Sequence, residues 1–470
     1  MSADPSPEAI LPSVAPPADA PTAGAADPSH APSARISAPW RSRKETVAQL
    51  ASRIVDEQRG IFVLQALRWA PSIEDAFFAS RCRQLPTVDP DYWANVDLGF
   101  DPDAKIRAFD AIALDADREL GASDDLGAAL CTVAEQYRNV VSMLASRGTK
   151  EFYRWSRELY GSPKDRLFDG SVCVRDLGQV AYDLLARVGS SPLARPQAED
   201  LDAEQAAAIL RERFAAFFGG EHIEVIVDED LLADATAGPD YVKIRKDATF
   251  SRQDLDTLEV HEGWVHMATT LNGQAQPVAR WLAKGPPRTA ATQEGLATLV
   301  EILSGRCHVR RARKLNDRIL AVDKAEDGAS FLDVFEFYRT EGYSEDDCFS
   351  NTRRVFRGGV LEGGAPFTKD ICYGKGLALN YAFFEQCVAS GRLDRIPLLF
   401  VGKIALEDIP LIERRVADGT IVPPTHLPPF IRNMQGVAAS FAFSSLLGNA
   451  MHGVRAHVVT RSSRPRSSSE

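Results

Sequence analysis

The stretch His261-Glu262-Gly263-Trp264-Val265-His266 sets two imidazoles on either side of a carboxylate, and further along Gln293-Glu294-Gly295-Leu296-Ala297 supplies another acid. Neutral imidazole nitrogen and carboxylate oxygen are the ligands of a catalytic Zn²⁺, which takes three from the protein and keeps a fourth position for water. With His261 and His266 as two of the three, the remaining ligand is expected on another helix. Glu294 fits, because it opens an apolar-periodic stretch (Leu296, Leu299, Val300, Leu303) suited to packing against the first helix. Glu262 is then free to act as general base on a water whose pKa the ion lowers to about 7, and to hand the proton to a leaving amine. Two imidazoles and one carboxylate in a tetrahedral site favour a single Zn²⁺ over other divalent ions.

The interval between the two His is awkward. In HExxH the rings are four residues apart, about 40° around a regular helix, whereas five residues put them about 140° apart. A regular helix cannot show both to one ion. A single-turn π-bulge absorbs the extra residue, and such bulges concentrate at functional sites. Gly263 lies inside the motif, where backbone freedom is expected to help.

The elements around the motif read as follows. Asp202 to Phe218 is an amphipathic helix with Asp202 as N-cap and Gly219-Gly220 as its stop. Ile223 to Val227 alternates like a strand, and so does Tyr241 to Arg245, with Tyr241, Lys243 and Arg245 on one face and Val242 and Ile244 on the other. Ser251 caps the helix that carries His261. A strand beside such a helix can hold an extended substrate by edge pairing. Earlier in the chain, Val47, Leu50, Ile54, Ile61, Leu64 and Leu67 have helical spacing, and further helices are expected over Cys131–Leu144 and Glu151–Tyr160, with a break at Pro163. The chain is expected to be α+β and mostly helical: a zincin-like metallopeptidase with a small antiparallel or mixed sheet beside the HExxxH helix. Residues 1–40 form an Ala/Pro-rich disordered tail, 41–195 a helical region, 196–455 the catalytic domain and 456–470 a second tail.

Bulk properties narrow the function. A formal net charge of −11 over 470 residues argues against nucleic acid as a partner, since such binders carry a basic stripe. No apolar run reaches the roughly 18–20 residues of a membrane span, and Gly436 to Leu447 reads as a short buried helix. The amino terminus lacks the charged start and apolar core of a signal peptide. Seven cysteines (Cys82, Cys131, Cys173, Cys307, Cys348, Cys372, Cys387) show no CxxC spacing, the pattern of free thiols in a reducing compartment, so the expected location is cytoplasmic. Cys307 and His308 read as a buried thiol and a helix-surface imidazole rather than ligands. Trp264 and Trp281 read as core.

His261-Glu262-xxx-His266 followed by Gln293-Glu294-Gly295-Leu296-Ala297 resembles the bacterial QEGLAV-motif proteins, often labelled flavohaemoglobin expression-modulating, and the related animal microtubule-associated tyrosine carboxypeptidase. The similarity continues through Arg354-Val-Phe-Arg357-Gly358, Phe367-Thr-Lys369-Asp370-xx-Tyr373-xx-Gly376 and Leu398-Leu-xx-Gly402-Lys403. The motif ends Ala297-Thr298 here, a departure beyond the ligand. The resemblance implies a zinc metallopeptidase domain with His261, His266 and Glu294 on the metal and Glu262 as base. It implies carboxypeptidase chemistry on a peptide or protein carboxy terminus more firmly than any named target. A carboxypeptidase needs a cation for the substrate's terminal carboxylate and a donor for the oxyanion. Lys243, Arg245, Arg354, Arg357 and Lys369 are candidates for the first role, and Tyr373 for the second. The alternatives are a dipeptidyl-peptidase-like HExxxH enzyme and a non-enzymatic regulatory protein.

Overall fold

The computed structural model describes residues 38–121, 123–194, 197–221, 223–229, 231, 234–238 and 240–445. The chain divides into two compact units, Met1–Arg41 and Ser42–Glu470. The first helix, Ala38–Glu57, begins slightly before the expected boundary at residue 41. The remainder of the expected first tail, and all of 456–470, lie outside the described residues.

Capped amphipathic helices make up most of the second unit. Pro102–Leu120, Asp125–Ala145 and Lys150–Tyr160 begin at Asp101, Asp124 and Thr149, whose side-chain oxygens accept from the first free backbone N–H groups. Such caps satisfy donors that a helix start leaves unpaired. The latter two helices contain the segments expected from periodicity. Their buried faces meet in one core, where Phe109 stacks on Tyr137 with ring centroids 5.6 Å apart. A second core gathers Phe77, Phe331, Phe335, Phe349 and Phe356 under the helices Phe331–Thr340 and Glu345–Phe356.

Five short strands are present among the described residues. β1 (Arg166–Leu167) and β2 (Val172–Cys173) form a small antiparallel hairpin. β3 (Glu224–Asp228), β4 (Ala235–Ala237) and β5 (Tyr241–Arg245) form a mixed sheet in the order β3-β5-β4. β3 runs parallel to β5, with Glu224 opposite Tyr241, and β4 runs antiparallel to it, with Ala237 opposite Val242. The alternation in β5 falls as expected: Val242 and Ile244 are fully buried, and Tyr241, Lys243 and Arg245 half-buried. Val242 and Ile244 share a core with Ala206, Leu210 and Phe214 of the helix Ala203–Phe218. That helix starts in a capping box between Asp202 and Gln205 and ends at Gly219, whose φ of +64° suits glycine.

No helix among the described residues is long and apolar enough to cross a membrane. The segment expected as a buried helix from Gly436 is helical over 435–445 but only one face is covered. Val437 and Phe441, four apart, are buried, while Phe443 is 64% exposed. The Ala and Ser positions between them contribute too little apolar area for a second buried face.

Candidate metal centre

Ser251 caps the helix Arg252–Leu258, its hydroxyl accepting from the Asp254 N–H while the Asp254 carboxylate accepts from the Ser251 N–H. The helix passes without a break into a π-helix over Glu259–Met267, then returns to α geometry over Ala268–Gln274. Hydrogen bonding from i to i+5 aligns residues five apart, and His261 and His266 lie together with ring centroids 4.7 Å apart. The distortion demanded by the five-residue interval is present, and it covers nine residues rather than a single turn. Gly263 has a different role from the one expected. Its backbone is not left-handed, but a Cβ there would stand 2.5 Å from Cε1 of Phe214. Glycine lets the helix Ala203–Phe218 lie directly against the motif.

The third member comes from the helix Ala290–Leu303, which packs against the π-helix. Glu294 Oε2 is 3.4 Å from His261 Nε2 and 3.6 Å from His266 Nε2, and the three ligand atoms lie within 4.8 Å of one another. Tetrahedral ligands about 2.1 Å from a Zn²⁺ are about 3.4 Å from each other. The donor set therefore has the composition and the spacing that one ion would need. On the same helix, Gly295 sits against Gly376 of the helix Cys372–Ala389, where a Cβ on Gly295 would fall 1.9 Å from the Gly376 carbonyl carbon. The Gly in each motif lets these two helices touch backbone to backbone.

Seven residues beyond Glu294 on that helix, Glu301 is fully buried and its Oε1 lies 2.6 Å from His261 Nδ1. Arg311 donates to both Glu301 oxygens, at 3.0 and 3.3 Å. Burial favours a neutral Glu301, yet Arg311 and the His261 ring outweigh it and bring the carboxyl down to about 2. A carboxylate behind a ligating imidazole fixes its tautomer and raises its basicity. Burial likewise works against charge on His261, but hydrogen bonding to Glu294 and Glu301 lifts it to about 10. Desolvation works against charge on Glu294 too, but Lys369 together with the two imidazoles holds it well below the usual carboxylate range.

Glu262, between the two imidazoles in sequence, reaches the sheet, where its Oε2 accepts from the Ala237 N–H of β4 at 2.9 Å. Ala-Thr-Ala carries no β-branched or aromatic run, so β4 was invisible to pattern reading. Lys403 interacts electrostatically with both Glu262 and Glu294, and burial lowers its pKa in spite of them. Among the described residues its ammonium has no hydrogen-bond or ion-pair partner.

The expected substrate-binding residues separate into two groups. Lys243 and Arg245 pair with Asp228 at 2.6 Å and Asp234 at 2.7 Å on the sheet. Arg354 is bound through two nitrogens to Asp370, at 2.7 and 2.8 Å, so its fork is already filled. Lys369 donates to Glu294 Oε1 at 3.1 Å, and Tyr373 stacks 6.3 Å from the His261 ring. Arg357 is buried, with Nε and Nη2 lacking partners. Cys307 is pushed up to about 12 by burial, and His308 bonds Thr257 and the Gln253 carbonyl, so neither joins the triad. Trp281 is buried, and Trp264 stacks on Phe217. Sequence reading missed Glu301, Arg311 and Arg318, and gave Lys403, which ends a matched motif, no role. Glu301 had a usable signal, two helical turns after Glu294 on the same face.

The sequence model of a family described as microtubule-associated tyrosine carboxypeptidase matches residues 75–449. The chain belongs to that family. Its activity is accordingly of carboxypeptidase type, on a peptide or protein substrate. A comparison with curated proteins gives no match. Among solved structures the chain is similar to a protein from Colwellia psychrerythraea described as a lipoprotein, at 11% identity and a TM-score of 0.38, over 68% of this chain and 70% of that one. So distant a likeness carries no argument here. All the residues of the triad and its surroundings fall inside the region matched by the family.

Proposed function

We propose that this chain is a zinc-dependent, zincin-like carboxypeptidase that removes residues from the carboxy terminus of a peptide or protein, with Glu262 as general base. The observation that carries the reading is the His261–His266–Glu294 cluster, whose 3.4 and 3.6 Å separations suit one tetrahedral ion. His261, His266 and Glu294 would hold the ion, and Glu301 would orient His261 from behind. When bound, Zn²⁺ lowers the pKa of water and polarises a carbonyl.

The protein side chains do the rest. Glu262 is next to a ligand in sequence and tethered to the edge of β4, close enough to the site to feel the Lys403 charge. It takes a proton from the attacking water and returns it to the leaving amine. Tyr373, whose ring stacks 6.3 Å from that of His261, has no hydrogen-bond partner for its hydroxyl among the described residues, which supports a role for it as donor to the developing oxyanion. Lys369 keeps Glu294 ionised. The family description names a tyrosine at the carboxy terminus; the proposal for this chain is the carboxypeptidase chemistry, acting on a peptide or protein terminus.

The test is metal analysis of wild type beside Glu262→Gln, both assayed on amino-terminally acetylated peptides with free or amidated carboxy termini. Expected are one zinc per chain in both proteins, cleavage of the acetylated free acid by wild type, and a loss of about 10²–10⁴-fold in the variant. A variant that cleaves as fast as wild type refutes the assignment of the base. Cleavage that acetylation abolishes would favour a dipeptidyl peptidase instead.

A further inference from the structure

A cavity of about 280 Å³ lies where the helix Lys150–Tyr160 ends beside the crossing of Ala290–Leu303 and Cys372–Ala389. That volume is close to the roughly 300 Å³ at which small-molecule sites begin. Leu159, Pro287, Leu379 and Leu406 give it an aliphatic wall, with Tyr160 and Cys372 among them. Ala291 in the wall is one helical turn before Glu294, and Cys372 directly precedes Tyr373. The cavity thus adjoins both helices that build the metal centre and shares no residue with it.

The charges around the cavity differ in whether they are matched. Lys375 donates to Asp165 at 2.9 Å, Arg288 fills its fork on Asp408 at 2.6 and 2.9 Å, and Glu158 accepts from the Asn139 amide at 2.9 Å. Two groups are left over. The Arg157 guanidinium and the Glu407 carboxylate line the cavity, are exposed, and have no hydrogen-bond or ion-pair partner among the described residues. Tyr160 is only 6% exposed, and its hydroxyl likewise has no hydrogen-bond partner among the described residues. Buried hydroxyls normally have one. Burial raises its pKa, so it stays protonated and able to donate. Arg157 and Tyr160 are three apart on one helix and are therefore neighbours on its surface.

These features define the ligand. An exposed charge without a partner is ordinary surface, but here one of each sign borders an aliphatic cavity with an unmatched donor buried in its wall. A pure anion is repelled by Glu407 and a pure cation by Arg157, whereas a zwitterion meets both. We propose that the cavity binds a small aliphatic zwitterion, a free amino acid or a dipeptide. Its carboxylate pairs with Arg157 and accepts from Tyr160, its ammonium pairs with Glu407, and its side chain lies against the leucines. The site goes beyond the carboxypeptidase reading and does not depend on it.

The experiment screens the full chain by thermal unfolding against the free aliphatic amino acids and leucylleucine. At least one compound should raise Tm, and the comparison of the two kinds assigns the source of the zwitterion. The best compound, its amino-acetylated form and its carboxamide are then titrated calorimetrically into wild type and variants, each with zinc and after chelation. Acetylation, amidation, Arg157→Gln and Glu407→Gln should each weaken binding about 10–100-fold, the range for hydrogen bonds to charged groups. Tyr160→Phe should weaken it about 2–10-fold. Arg157 and Glu407 are exposed, so their variants should keep the unliganded Tm of wild type and measure the site even if Tyr160→Phe fails to fold. Chelation should leave the affinity unchanged. Binding that vanishes with the metal, or that Arg157→Gln and Glu407→Gln leave intact, puts the compound in the catalytic cleft as a product and overturns the proposal. Equal binding of the acetylated or amidated form overturns it too, as does a screen in which no compound raises Tm.

Discussion

Glu301→Gln isolates the contribution of the carboxylate behind His261. In the wild-type protein the His261 Nδ1–Glu301 Oε1 distance is 2.6 Å, Glu301 is fully buried, and Arg311 braces both of its oxygens. Glutamine keeps the size and one acceptor oxygen, so the ring can hold its tautomer, but the negative charge that strengthens the Nε2 lone pair is gone. Loss of such a partner typically weakens metal binding by about 10–100-fold, roughly 1.4–2.7 kcal/mol. Arg311, with 23% of its side chain exposed, can turn partly to water, which limits the cost to folding. Glu301→Ala strips the buried cation of its partner more completely and is expected to cost about 3–5 kcal/mol of stability. The assay is competition for Zn²⁺ against a chelator of known affinity, alongside urea unfolding of the metal-free proteins. Tenfold or weaker binding in Glu301→Gln, with stability near wild type, is the expected result. Zinc affinity equal to wild type would refute the argument that the Glu301 charge supports a ligand.

Gly295→Ala puts a Cβ where the Gly376 carbonyl carbon is only 1.9 Å away. It is expected to cost about 1–3 kcal/mol or more by forcing apart the helix that carries Glu294, seen as a lower Tm together with weaker zinc binding; an unchanged Tm would refute the backbone contact. Asp317 is fully buried and its carboxyl is raised by burial from near 3.8 to about 6. The folded state thus binds this proton more tightly than the unfolded chain. The associated stability is fully present below about pH 3.8 and is lost as pH rises through 6. Asp317→Asn fixes the neutral form and should gain up to roughly 3 kcal/mol over wild type at pH 8, less the attraction lost to Arg313, while the two proteins converge near pH 4. Parallel unfolding curves across that range would contradict it.

The parts legible in the sequence are those whose cause is local. Capping at Asp202 and Ser251, the stop at Gly219, and the alternation of Tyr241 to Arg245 depend on neighbours within a few residues, and the elements follow them closely. The π-helix was legible for a different reason: the chemistry of one ion sets a geometric demand that a five-residue interval meets in no regular helix. What stayed hidden depends on contacts across the fold. β4 exists because β5 and the motif helix offer partners to Ala235–Ala237, not because its residues favour strands. Gly263 reads as a flexible point until Phe214 is seen against it. The cations show the same limit most clearly. Arg354 has every mark of a substrate anchor in the sequence, yet Asp370, sixteen residues on, fills its fork. Arg318 lies in no motif that the sequence singles out, yet its guanidinium is buried over Tyr373 with no hydrogen-bond acceptor among the described residues. Whether an arginine is spent or available is decided by which carboxylate reaches it first, and that is a property of the packed structure alone.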